Sequence, residues 1–326
     1  MNRAAMLALT AALGLSFATG CKKEEEAASQ PPVTKPADPV APPTEPPPEA
    51  KPVAAAYSPQ AGKQAISELS ACSSQYGCPA FETLVGFGGA AVPELLALVG
   101  DLNASKDARG LGAATLAKIA SPEAGLKLIE IANALPGEDS LLAGDLYEAA
   151  GKSGGQPTFD ALIAAYATAI ASSDDNRDIP LRGGLRGFPT ESVGWVKATM
   201  PSAKDNYTGY ADLLTDSASA VDLPLLNELL GQTKHVMARN RIAAKAIELG
   251  DKAHFDVFVA GLSSKDGYDR SDAANFLANV AQDAPADLKP TLVELLYKGK
   301  AGDAGGITSM GYNQSLKKLG APVTKP

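Results

Sequence analysis

The chain has 326 residues, of which 45% are hydrophobic and only 6% aromatic, and its 37 Asp and Glu outnumber its 29 Lys and Arg to give a formal net charge of −8. That balance argues against nucleic acid as a partner, because a phosphate backbone calls for a basic surface. With two histidines and three cysteines in the whole chain, a zinc site would have to be completed by Cys, Asp or Glu, and nothing spaces these residues as ligands.

The first twenty residues divide into a short basic start at Arg3, a charge-free stretch from Ala4 to Ala18, and small residues. The stretch is shorter than the roughly 20 apolar residues that span a bilayer. Its layout is that of an export signal over residues 1–20 that is later removed. The "ATGC" ending at Cys21 resembles the bacterial lipobox, with Ala18 where that pattern usually has Leu. The resemblance implies a lipidated Cys21 as the first residue of the mature chain. Ala18 and Gly20 also suit ordinary signal peptidase, which would leave a soluble product. Two or more acyl chains, each buried methylene contributing roughly 0.8 kcal/mol, hold a protein firmly to a membrane. By the same resemblance, Lys22 in place of a retaining Asp implies the outer membrane of a bacterial envelope.

Residues 21–60 read as a tether. Eleven of the 24 prolines lie between Pro31 and Pro59, and with few large apolar residues such a segment cannot offset its chain entropy by burial. Held extended at about 3.1 Å per residue, it would reach up to ~90 Å as a semi-rigid spacer. Its "PVTKP" at 32–36 returns at 322–326, where the last residues, 321–326, read as a flexible tail. In "ACSSQYGCP", Cys72 and Cys78 are expected to pair in an oxidising compartment. Five intervening residues in a helical setting disfavour the alternative, a redox-active Cys-x-x-Cys.

From residue 61 to 320 the apolar spacing is helical, at three- and four-residue intervals, with turn signals every 12 to 18 residues. Three stretches repeat: "RGLGAATLAKIASPEA" from Arg109, "RNRIAAKAIELGDKA" from Arg239 and "RSDAANFLANVAQDA" from Arg270. Each has a small residue four positions after the Arg (Ala113, Ala243, Ala274) and an apolar residue ten positions after it (Ile119, Leu249, Val280). Helix pairs of this kind bury their apolar stripes only by stacking on one another. "LVGFGGAAVPELLALV" (84–99) with Pro93, followed by "KDARGLGAATLAKIASPEA" with Asp107 and Arg109, resembles the two helices of the short, phycocyanobilin-lyase-type HEAT repeat. The expected fold is therefore all-α: a HEAT-like α-solenoid of about seven to eight helix pairs. Between 140 and 230 the repeats degenerate around "GKSGGQP" and "LRGGLRGFP", and "ITSMGYNQSLKKLG" is expected to cap the stack. Trp195 reads as a core residue.

Short matches to catalytic motifs fail on context. "GFGGAA" (86–91) fits the loose dinucleotide fingerprint and Asp107 falls near the required distance, but no strand precedes it. "GKSGG" (151–155) satisfies G-x-S-x-G, yet a helix rather than a strand leads to Ser153, and no His is placed to take its proton. The same stretch has Leu146 where a P-loop needs its first Gly. "SSDDNRD" (172–178) lacks the Gly and distal Glu of an EF-hand. No cofactor is implied.

The remaining feature is charge. "KHVMARNRIAAK" (234–245) places His235, Arg239, Arg241 and Lys245 on a basic strip, and Arg182 and Arg186 beside Phe188 form a second. On the concave face of a solenoid these six would receive an acidic partner; in HEAT-type repeats, by resemblance, such arginines instead pair with acidic residues of the neighbouring repeat. The expectation is a non-catalytic envelope scaffold that binds another envelope protein. An enzyme or chromophore-handling factor, as the phycobilin-lyase resemblance would imply, and a purely structural spacer are the alternatives.

Overall fold

The computed structural model describes residues 56–136, 139–203, 207–303 and 308–325. The signal, Cys21 and the tether up to residue 55 lie outside the described residues. Among these, every regular element is helical. The fold is all-α.

The helices run α1 (Pro59–Leu69), α2 (Pro79–Phe87), α3 (Val92–Gly100), α4 (Lys106–Ile119), α5 (Pro122–Asn133), α6 (Ser140–Ser153), α7 (Gln156–Ser172) and α8 (Asp175–Leu185). They continue as α9 (Pro189–Thr199), α10 (Tyr207–Ser217), α11 (Leu223–Gln232), α12 (Val236–Glu248), α13 (Phe255–Leu262), α14 (Gly267–Val280), α15 (Lys289–Gly302) and α16 (Thr308–Lys318). Prolines repeatedly open the odd-numbered helices at the first turn, as in α1, α5, α9 and α15, where no intrahelical N–H is lost. The even-numbered helices α4, α12 and α14 are opened by side-chain caps. Ser105 Oγ accepts from Ala108 N at 3.1 Å, His235 Nδ1 from Ala238 N at 3.4 Å, and Asp266 from Tyr268 N at 2.7 Å. The apolar run Pro79–Gly100 is long enough to cross a membrane by composition. Here it is broken at Gly88 into α2, a 3₁₀ turn and α3, and Leu84, Leu95 and Val99 are fully buried against neighbouring helices.

Packing follows chain order. Each odd-numbered helix packs on the even-numbered helix after it, from α1 on α2 to α15 on α16. The even-numbered helices also pack on one another in unbroken succession from α2 to α16. Each contributes side chains to one continuous apolar core: Leu116, Leu146, Leu185, Leu214, Ile242, Leu277 and Leu316 are all fully buried. Truncating such a leucine to alanine costs about 2–5 kcal/mol. Polar links recur at one helix-pair spacing in sequence. Arg182–Asp216 spans 34 residues, Arg241–Asp212 29, Arg241–Asp272 31, Lys252–Asp283 31 and Arg270–Asp303 33.

The glycine-rich stretches are a packing device. α6 and α8 meet backbone to backbone, so that a Cβ on Gly151 would strike the carbonyl of Gly184, and one on Gly187 the carbonyl of Gly151. A Cβ on Gly184 would lie 2.6 Å from the carbonyl of Tyr147. "GKSGG" and "LRGGLRG" are therefore two faces of a single close helix contact. Ser153 is buried in the last turn of α6, with its Oγ donating to Ala149 O at 2.9 Å. Trp195 is half-buried and stacks on Tyr210, with ring centroids 5.3 Å apart.

Both ends of the unit extend beyond the expected limits. Upstream of α1, Tyr57 donates to Glu94 and meets Phe87 edge-on. The expected flexible tail is held at its start. Tyr297 Oη donates to Pro322 O at 2.5 Å and Lys300 Nζ to Val323 O at 2.7 Å, so that this copy of the "PVT" segment lies on α15.

Candidate functional site

The six expected binding residues occupy the even-numbered helices α8 and α12 and their flanks, and the fold takes up most of them. Arg241 lies between two carboxylates: its Nε donates to Asp212 of α10 at 2.6 Å, and its Nη1 to Asp272 of α14 at 2.7 Å. Its guanidinium also sits 4.8 Å from the centre of the Phe276 ring. Asn240, fully buried, donates to the other oxygen of Asp272 at 3.0 Å. Arg182 donates to Asp216 of α10 at 3.0 Å, and the exposed Arg186 reaches the same oxygen at 3.3 Å. Lys245 approaches Glu248 on its own helix at 3.6 Å. His235 caps α12 and stacks on Tyr207. Arg239 makes no side-chain bond among the described residues. An acidic partner would have to displace intramolecular carboxylates to reach Arg182 or Arg241. The strip is a ladder of ion pairs stitching α8, α10, α12 and α14 together.

The electrostatics of this ladder follow burial. Desolvation pushes the Asp272 carboxyl above its ordinary value, against the opposing pull of Arg241 and Asn240. At the far end the order reverses: bonds from Arg270 hold the Asp303 carboxyl below the usual carboxylate range, and Tyr312 adds its own hydrogen bond at 2.6 Å. Arg270 also donates to Ser264 O at 2.8 Å, just past α13. Arg109, its counterpart in the sequence repeat, is buried and donates to Val99 O at 2.8 Å in the last turn of α3. Two of the three repeated arginines, Arg109 and Arg270, thus tie the start of an even-numbered helix to the end of the odd-numbered helix before it, while Arg239 does not.

Cys72 and Cys78 are paired as a disulfide, with Cα atoms 6.0 Å apart. The loop they close projects Tyr76, 84% exposed, over a broad concavity. This is an open groove of about 720 Å³ across α2, α4 and α6. Its floor is Leu111, Ala114 and Ala117 of α4 with Phe81 of α2, and its rim carries Glu82, Asp145, Glu148, Lys118 and Lys152. Glu148 and Lys152 pair at 2.6 Å. Asp145 makes no hydrogen bond or ion pair among the described residues. Its carboxyl is pushed up by desolvation and then by the charge of Glu148. Sequence reading named none of the rim residues. Their one signal was the small-residue face of α4, which marked a close helix contact without saying that one side of it stays open.

The motif matches do not converge on any constellation. Gly86 and Phe87 end α2 and Gly88–Ala91 form the 3₁₀ turn before α3, and the acidic run at 172–178 spans the end of α7 and the start of α8, with Arg177 near Asp174 at 3.9 Å. Among the described residues no group of three or more His, Cys, Asp or Glu is placed to hold a metal ion. His254 meets Asn227 at 2.7 Å and Asp251 at 3.4 Å, beside the turn that opens α13. No protein-family model matches this chain, and no curated protein matches it.

Proposed function

We propose that the folded unit is a HEAT-like α-solenoid acting as a non-catalytic protein-binding scaffold, carried on a proline-rich stalk and anchored through a lipidated Cys21 in the bacterial envelope. The observation that carries the binding role is the open, apolar-floored groove across α2, α4 and α6. Supporting the repeat reading are the unbroken succession of even-numbered helices and the ion pairs recurring at one helix-pair spacing. The ladder around Arg241 has a structural role, so binding is assigned to the groove rather than to the basic strip.

The test is a photo-crosslinking side chain at Ala114 on the groove floor, with the same group at Glu130, on the exposed face of α5, as the control. A discrete crosslinked species from position 114 and none from 130 is the expected result. Equal yields from both positions would remove the groove from the account. For the anchor, Cys21→Ala is expected to move the protein from the membrane fraction to the soluble one, and retention on the membrane would refute lipidation.

A further inference from the structure

The groove has an ordered charge pattern. α4 and α6 run parallel and in register: Lys106 pairs with Asp139 at their starts, and a Cβ on Gly110 would lie 3.5 Å from Asp145 Oδ2. Seven residues beyond Asp145, about 10.5 Å along the helix, Lys152 stands on α6 with Lys118 level with it on α4. Glu148, between them, is engaged by Lys152. One end of the groove therefore presents an unpartnered carboxylate and the other presents the Lys118 ammonium beside the Lys152–Glu148 pair, two helical turns away. On the floor, Ala114 and Ala117 leave α4 low enough for another helix to approach to about 8–10 Å.

We infer that this groove receives an amphipathic α-helix of a partner protein, which sets a cationic side chain against Asp145 and, two turns along, an anionic one against Lys118 and Lys152. The inference rests on the scaffold reading and adds the chemistry of the partner to it. A helix lays an apolar stripe against this apolar floor and offers a seven-residue charge spacing that matches α6. A cation beside Asp145 offsets the cost of its desolvation and its repulsion by Glu148. The chain's own net charge of −8 opposes a second copy as the occupant.

Anisotropy titration of the full chain with peptides of about 15 residues tests this. All share one apolar stripe, and two positions seven apart carry Lys and Glu, Lys twice, or Glu twice. The Lys/Glu peptide is expected to bind about tenfold more tightly than either uniform one. Asp145→Lys, at an exposed position and checked by an unchanged melting temperature, is expected to make the doubly Glu peptide the tightest. A central proline in the Lys/Glu peptide is expected to weaken it at least about tenfold. Equal affinities, a ranking unmoved by Asp145→Lys, indifference to proline, or no binding at about 1 mM would each overturn the inference. So would a dimer of the chain that Ala114→Arg dissolves. If the peptides fail while the Ala114 crosslink still forms, the scaffold reading survives without this partner; if both fail, neither stands.

Discussion

Arg241 and Arg186 carry the same charge on the same stack, and their surroundings give them different weights. Arg241 is 14% exposed and bridges Asp212 and Asp272, whereas Arg186 is 62% exposed and only seconds Arg182 at Asp216. Removing a partner from a largely desolvated ion pair leaves an uncompensated carboxylate. Arg241→Ala is therefore expected to lower unfolding stability by about 3 kcal/mol, and Arg186→Ala by less than about 1 kcal/mol, both read from urea denaturation midpoints. Equal small losses would mean that the ladder is not structural. Protonation gives a second test at this scale. Asp303 has a folded-state pKa below its unfolded one, so its contribution is complete above the ordinary value of about 3.9 and is lost as pH falls through the lower folded value. The melting-temperature gap between the wild type and Asp303→Asn should thus be open at pH 7 and close below about pH 4. Asp272, with its pKa raised by burial, has the opposite sign: its protonation as pH falls favours the folded state. A gap at Asp303 that widens in acid would contradict the Arg270–Asp303–Tyr312 arrangement.

Among the elements, the α6–α8 contact depends on three glycines. Gly184→Val puts branched carbon where the Tyr147 carbonyl lies, so the two helices must separate along the seam that buries Leu146 and Leu185. A loss of about 2–4 kcal/mol is expected, against a gain of up to about 1 kcal/mol for Gly144→Ala, whose Cβ meets nothing within 4 Å in the interior of α6. These cases also mark what the sequence made legible. The helical period, the three Arg-led repeats and the paired cysteines are local signals, and α4, α12 and α14 lie where they point. "GKSGG" and "LRGGLRG" looked like interruptions because a chain does not say which helix its glycines face. The basic strip at 234–245 was visible, but the carboxylates that engage it lie 29 and 31 residues away on separate helices. The groove was hidden for the same reason, since Tyr76, Ala114 and Asp145 share a site only after three helices have packed.

Over the whole molecule, each helix pair leans on the next and none buries its apolar stripe alone. The direct test is a double electron–electron resonance measurement on the full chain, with spin labels at Lys118 near the end of α4 and Lys317 near the end of α16, both exposed. Six successive steps between even-numbered helices at about 8–10 Å each, allowing for curvature, place the labels about 45–60 Å apart. A single distribution in that range is the result expected of an extended stack. A distribution centred below about 30 Å would mean that the helices fold back into a compact globule, and the continuous inner face on which the account depends would not exist.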